Sequence, residues 1–135
     1  MAGYSATPLA KKLGVKPGHT LVLEDAPPGW SVPDLPDGVD VRTDGAADVI
    51  VAFVSELAGL DLEPLGERIF PDGMVWIAWP RKAAGHVSDI NENAIRDAAL
   101  ALGLVDVKVA ALDHDWSGLK LVWRKENRLL RRVVD

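Results

Sequence analysis

Short, nearly continuous apolar runs constrain the fold of this chain more than any other feature of its sequence. Runs of this kind, bounded by glycine and proline, are typical of strands that are buried on both faces of a sheet. Apolar segments predict strands at residues 19–24, 48–54, 74–79, 105–112 and 119–124, and alternating apolar and polar residues predict a strand near a sheet edge at residues 39–43. Only six residues separate the last two segments. Because such a connection is too short for a crossover, these two strands must form an antiparallel hairpin.

Helical segments are expected between the earlier strands. A threonine followed by proline begins a short helix at residues 7–14, and apolar residues at helical spacing predict a longer one at residues 90–102. The segment 56–70 is expected to be a weak or broken helix because it contains two glycines and a proline, and residues 25–38, with four prolines, are expected to form a loop. Strands separated by helices pair in parallel through right-handed crossovers. The sequence therefore predicts an α/β fold: a Rossmann-like three-layer sandwich with a mostly parallel sheet of about six strands and an antiparallel C-terminal hairpin strand.

Size and composition narrow the class of protein. The 135 residues, 48% hydrophobic and 26% charged, supply the core of one domain, predicted over residues 1–125. Neither an export signal nor the roughly 20 consecutive apolar residues that span a bilayer are visible, so we expect a cytoplasmic protein without membrane contact. The absence of cysteine excludes disulfides and thiolate chemistry, and a net charge of −5 disfavours a nucleic-acid partner.

Charge is unevenly distributed along the chain. Residues 24–72 carry twelve acidic and two basic side chains, whereas residues 120–135 carry six basic and two acidic ones. The tail, residues 126–135, places leucine and valine pairs at helical spacing between arginines, which predicts a basic amphipathic helix. Such a helix could dock on an acidic surface, for example that of a second copy. The sequence thus predicts a homodimer or another protein contact through the tail; the alternative is a tail that frays or packs on its own domain.

Candidate ligand-binding residues follow the predicted strands at the edge of the sheet where parallel strands end, which is where open α/β sheets bind ligands. One group, which combines cations with an indole ring, suits a small anionic ligand and consists of Trp79, Arg81, Lys82 and His86. The other group occupies the hairpin tip and consists of Asp113, His114, Asp115, Trp116 and Ser117. Imidazole and carboxylates can move protons or hold a metal, but adjacent turn residues rarely converge on one ion. No metal, cofactor or catalytic residue is therefore predicted, and the alternatives are a solvated loop and a hydrogen-bonded turn with Trp116 packed on the sheet.

A sheet that ends in a helix, followed by residues 103–109 and a hairpin whose return strand closes the domain, resembles the C-terminal half of class I methyltransferases. The resemblance spans roughly residues 15–125. It implies binding of S-adenosylmethionine, with Glu24 and Asp25 as the residues that contact the cofactor. The family has a glycine-rich loop after its first strand, whereas this chain has Pro27 and Pro28 there.

Residues 3–18, 79–82 and 116–120 together resemble a family of short bacterial proteins of unknown function, and this match covers nearly the whole chain. The resemblance implies a Rossmann-like fold but does not imply any particular activity. From these observations we expect a non-catalytic module that binds a protein partner, a second copy of itself included, or a small anionic ligand at the C-terminal edge of the sheet. The alternative is a reduced methyltransferase-like enzyme that depends on S-adenosylmethionine.

Overall fold

Each predicted strand segment forms a strand of one six-stranded sheet in the computed structural model, which describes residues 7–128. The strands are β1 (Thr20–Glu24), β2 (Asp40–Arg42), β3 (Val49–Phe53), β4 (Met74–Pro80), β5 (Leu104–Ala111) and β6 (Trp116–Trp123). They are arranged in the order β2-β1-β3-β4-β6-β5. The three pairs among β1 to β4 are parallel, whereas β6 is antiparallel to both of its neighbours, β4 and β5. We call the edge at which β1 to β4 end the C-terminal edge.

Three α-helices lie between or before these strands: α1 (Leu9–Leu13), α2 (Leu62–Ile69) and α3 (Glu92–Leu102). Short 3-10 turns cover Leu57–Gly59 and Lys82–Ala84. The predicted helices near residues 7–14 and 90–102 are confirmed as α1 and α3. The segment expected to be weak or broken contains the regular helix α2, because Pro64 falls in its first turn, where the missing amide hydrogen has no helical acceptor.

The two faces of the sheet are covered differently. Helices α2 and α3 cover one face, where Leu65, Ile69 and Ile95 pack in a single apolar cluster with Ile50 and Ile77 of the sheet. The opposite face carries the five-residue helix α1 and side chains of the proline-rich loop at residues 25–39, such as Val32 and Leu35. The four prolines of that loop prevent a helix between β1 and β2.

The prediction of a Rossmann-like three-layer sandwich is therefore wrong. The sheet is mixed, with the antiparallel strand β6 between β4 and β5. Its second face has one short helix and a loop where a layer of helices was expected. The structure is a mixed sheet with α2 and α3 on one face and α1 with a loop on the other.

The predicted C-terminal tail is described only in part, because residues 129–135, like residues 1–6, lie outside the described residues. At its start, Asn127 Nδ2 donates to the Gly103 carbonyl oxygen at 2.9 Å and Arg128 Nε donates to the Trp123 carbonyl oxygen at 2.8 Å. These two side chains contact their own domain, and the dimer contact through the tail stays a prediction. Among the described residues, no helix has the length and apolar character to cross a membrane.

Candidate functional site

The pairing of β4 with β6 brings the two predicted groups of site residues together at the C-terminal edge. Trp79 lies opposite Ser117 in the antiparallel register, and Pro80 lies opposite Trp116. The backbone amide of Arg81 continues this pairing by donating to the Asp115 carbonyl oxygen at 2.8 Å. The loop after β4 and the tip of the hairpin are thus neighbours in one surface.

Arg81 is buried at this junction, with 6% of its surface exposed. Its Nη1 donates to the carbonyl oxygen of His114 at 2.7 Å and approaches that of Asp113 at 3.5 Å. Within residues 7–128, no carboxylate lies within ion-pair distance of its guanidinium. The sequence predicted a cation available to a ligand, whereas the structure shows a buried one that holds the hairpin tip and has only neutral carbonyl partners.

Asp113 organises the hairpin tip. Its Oδ1 accepts hydrogen bonds from the backbone amides of Asp115 and Trp116, each at 2.8 Å. Its Oδ2 accepts a hydrogen bond from Trp30 Nε1, also at 2.8 Å, and so links the tip to the proline-rich loop. Both oxygens of this carboxylate therefore have structural partners, as in a hydrogen-bonded aspartate turn.

The remaining polar side chains of the tip lie at the surface. His86 Nε2 and Asp115 Oδ1 are 2.9 Å apart, with both side chains about half exposed, and His114 is exposed. In the part of the chain that the structure describes, no three histidine or acidic side chains form a group that could hold a metal ion.

Three aromatic rings pack in a row on the face of the sheet that carries α1: Trp30 of the proline-rich loop, Phe53 at the end of β3 and Trp116 at the start of β6. From β1 the chain goes to β2 on one side and then crosses to β3 on the other, so the crevice between the ends of β1 and β3 is the place at which open parallel sheets bind ligands. Phe53 packs edge-on against Trp30 at a centroid distance of 4.8 Å and against Trp116 at 4.9 Å. Sequence reasoning did not place Trp30 at this site, because its partners lie 23 to 86 positions further along the chain. The only local signal is an indole in a loop that four prolines restrict.

Glu24 and Asp25, the residues implied for S-adenosylmethionine, lie at and just after the end of β1. The Glu24 carboxylate forms an ion pair with the guanidinium of Arg68, whose Nε also donates to the Gly45 carbonyl oxygen at 2.9 Å. Asp25 is exposed, in a left-handed backbone conformation with φ of 57°. Both residues line a depression of about 500 Å³ with Leu23, Ala26, Trp30 and Thr43.

Two further depressions lie at the C-terminal edge and differ in charge. One, of about 420 Å³, lies between the ends of β3 and β4 and includes Glu56 and Asp89 in its lining. The other, of about 410 Å³, is lined by Arg81, Lys82, Ala83, Val109, Ala110, Ala111 and Ser117. We call the latter the Arg81 depression. Its lining contains two cations and a hydroxyl group and no carboxylate.

No protein-family model matches this chain, and no curated protein matches its sequence. The resemblances to class I methyltransferases and to short bacterial proteins of unknown function therefore stay predictions.

Proposed function

We propose that this protein is a binding module that takes a small anionic ligand in the Arg81 depression. The observation that carries this proposal is the buried guanidinium of Arg81, which has carbonyl partners but no ion pair within the described residues. Buried charges in proteins are normally paired, because removing an ion from water is costly. An anion bound in the depression would supply the missing negative charge.

The rest of the lining supports the same ligand class. Lys82 is exposed and forms no ion pair with any described residue, so its ammonium group is available to a ligand. Ser117 adds a hydroxyl group, and Ala83, Val109 and the alanines after it add apolar walls. This combination fits a small carboxylate or phosphate ester better than a large polyanion. Hydrogen bonds to a cation would fix the charged group of the ligand, and the apolar walls would contact the apolar part of the ligand.

Binding rather than catalysis is proposed because the acid–base groups nearby have other partners. Both carboxylate oxygens of Asp113 accept hydrogen bonds from the fold, and the pair of His86 and Asp115 lies on the outer surface. General acid–base catalysis requires a group within hydrogen-bond reach of a bound substrate. These side chains instead support a structural role in the hairpin tip.

Titration calorimetry with inorganic phosphate, succinate and adenosine monophosphate tests the proposal. We expect at least one of them to bind, and Lys82→Ala to weaken that binding about tenfold, because a charge-assisted hydrogen bond contributes roughly 1.5 kcal/mol. Lys125→Ala is the matched control, since it removes the same charge at the opposite end of β6. An unchanged affinity in Lys82→Ala, or no binding of any of the three anions, would overturn the proposal.

The alternative, binding of S-adenosylmethionine, is favoured by one observation: the depression of about 500 Å³ next to Asp25 and Trp30. The ion pair of Glu24 with Arg68 and the prolines of the adjoining loop weigh against it. Thermal shift and calorimetry with S-adenosylmethionine discriminate between the two proposals. Micromolar binding that is lost in Asp25→Ala and kept in Lys82→Ala would favour the methyltransferase-like alternative.

A further inference from the structure

Two lysines face each other on the strands of the C-terminal hairpin. Lys108 of β5 and Lys120 of β6 are partners in the antiparallel register. Side chains directly opposite in such a pair have Cβ atoms about 5 Å apart, and like charges at these positions are destabilising. A pair of this kind places two ammonium groups where one anion could contact both.

The α1 segment adds two more lysines to this pair. Lys12 is buried, with 6% of its surface exposed, and its Nζ donates to the Ala111 carbonyl oxygen at 2.9 Å. Lys120 extends to the end of α1, where its Nζ lies 3.7 Å from the position that a Cβ atom on Gly14 would occupy. Lys16 follows two residues later. We call Lys12, Lys16, Lys108 and Lys120 the lysine cluster.

The charges of the lysine cluster act on one another. Burial and the charge of Lys108 lower the pKa of Lys12, and burial with the charges of Lys108 and Lys16 lowers the pKa of Lys120. Among the described residues, Lys16, Lys108 and Lys120 form no ion pair with a carboxylate. A chain with a net charge of −5 thus keeps Lys108 close enough to Lys12 and Lys120, and Lys16 close enough to Lys120, for their charges to repel each other.

We propose that the lysine cluster binds an oligophosphate chain, either inorganic or the phosphate chain of a nucleotide. Linked phosphate groups carry several negative charges within a few ångströms, so one such chain can contact several convergent ammonium groups at once. Acidic side chains on one face of an extended peptide are spaced about 7 Å apart, which suits a linear array of cations better than a cluster. The lysine cluster does not include Arg81 or Lys82, and this inference does not depend on the proposed function.

Calorimetric titration of the full chain with inorganic tripolyphosphate and with ATP tests this inference. We expect binding of both, and a five- to tenfold loss of affinity in Lys108→Gln and in Lys120→Gln. Lys108→Arg should retain most of the affinity. Lys125→Gln, which removes the same charge elsewhere, should leave it unchanged.

Thermal unfolding of the same variants adds a readout that a purely structural lysine would not produce. Without ligand, Lys108→Gln should unfold at the same or a higher temperature than the natural chain, because it relieves repulsion. With tripolyphosphate, it should gain less stability than the natural chain. Equal affinity for tripolyphosphate and ATP would identify the phosphate chain as the recognised group, and tighter binding of ATP would identify a nucleotide.

Three results would overturn the inference. The first is no binding of either oligophosphate, and the second is an equal loss of affinity in Lys125→Gln, which would show attraction by overall charge alone. The third is tighter binding of a single-stranded oligonucleotide than of ATP with the same dependence on Lys108 and Lys120. That result would assign the lysine cluster to nucleic acid instead.

Discussion

Replacing Asp113 with asparagine should release the proline-rich loop from the hairpin tip. The asparagine keeps an oxygen for the amides of Asp115 and Trp116 but places an NH₂ group where Oδ2 accepts from Trp30 Nε1. Two donors then face each other across 2.8 Å in a half-buried site. A hydrogen bond to a charged group contributes about 1.5–3 kcal/mol, and partial exposure reduces this, so we expect Asp113→Asn to lower the free energy of unfolding by about 1–2 kcal/mol.

The complementary change is Trp30→Phe, which removes the indole N–H and keeps an aromatic ring against Phe53. It should lower the free energy of unfolding by about 1–2 kcal/mol through the lost hydrogen bond and the smaller buried ring. In the double variant the asparagine no longer faces a donor, so the two effects should not add. We expect a coupling energy of about 1 kcal/mol, well above the 0.3–0.5 kcal/mol scatter of independent sites.

Urea unfolding of the four proteins, followed by far-ultraviolet circular dichroism, measures this cycle without relying on the fluorescence of the substituted tryptophan. Hydrogen exchange of residues 25–39 should also rise in both single variants, because the loop loses its attachment to the tip. If the two effects add within 0.5 kcal/mol, the bond between Trp30 and Asp113 does not hold the loop in solution.

Three further predictions test the packing, the capping and the electrostatics of the fold by urea unfolding. Gly118→Ala should lower the free energy of unfolding by about 1–3 kcal/mol, because its Cβ would lie 2.9 Å from the buried ring of Trp76; an unchanged midpoint would show that the ring can move. Asn91→Ala should lower the free energy of unfolding by about 1 kcal/mol, because Asn91 Oδ1 accepts a hydrogen bond from the Ala94 amide at the start of α3. Asp61→Ala should lower it less, because Asp61 makes no such bond at the start of α2. Equal losses of stability would contradict the capping role of Asn91. The contribution of Lys120 to stability should rise as the pH increases toward 10.5, because burial and neighbouring lysines lower the pKa of Lys120 in the folded state and the unfolded chain therefore binds more protons just below pH 10.5. Lys120→Gln should flatten this dependence, and an unaltered slope would contradict it.

The positions of the strands could be predicted from the sequence because burial on both faces requires apolar residues in succession. Residues 49–53 of β3 are all buried, because strands lie on both sides of β3 and other elements cover both faces of the sheet. The apolar run that predicts this strand is the clearest in the chain. The arrangement of the layers could not be predicted in the same way. Periodicity indicates which side of a helix is apolar, but it does not indicate which face of the sheet the helix covers. The prolines before β2 predicted a loop. That this loop covers the sheet in place of a layer of helices could not be predicted, because it depends on packing between residues that are distant in the sequence.

Some features of the candidate site could likewise be predicted from the sequence, and others could not. Sequence reasoning placed Arg81 and the hairpin tip at the C-terminal edge, because both follow predicted strands, and the structure brings them together. The burial of Arg81 could not be predicted, because it depends on packing against the hairpin tip, where its guanidinium contacts the carbonyl oxygen of residue 114, 33 positions away. The lysine cluster was missed for a related reason: its members are scattered between residues 12 and 120, and only the register of β5 with β6 makes two of them neighbours.

Binding at the lysine cluster should depend strongly on salt, because three of its four lysines are not buried. The screening length of water falls from about 10 Å at 0.1 M salt to about 3 Å at 1 M, and buried charges are screened much less than exposed ones. Binding of tripolyphosphate should therefore weaken steeply with added salt, and Lys108→Gln should make this dependence shallower because one screened contact is lost. Calorimetric titrations at several sodium chloride concentrations measure these slopes, and parallel slopes for the natural chain and Lys108→Gln would place the oligophosphate somewhere other than beside β5 and β6.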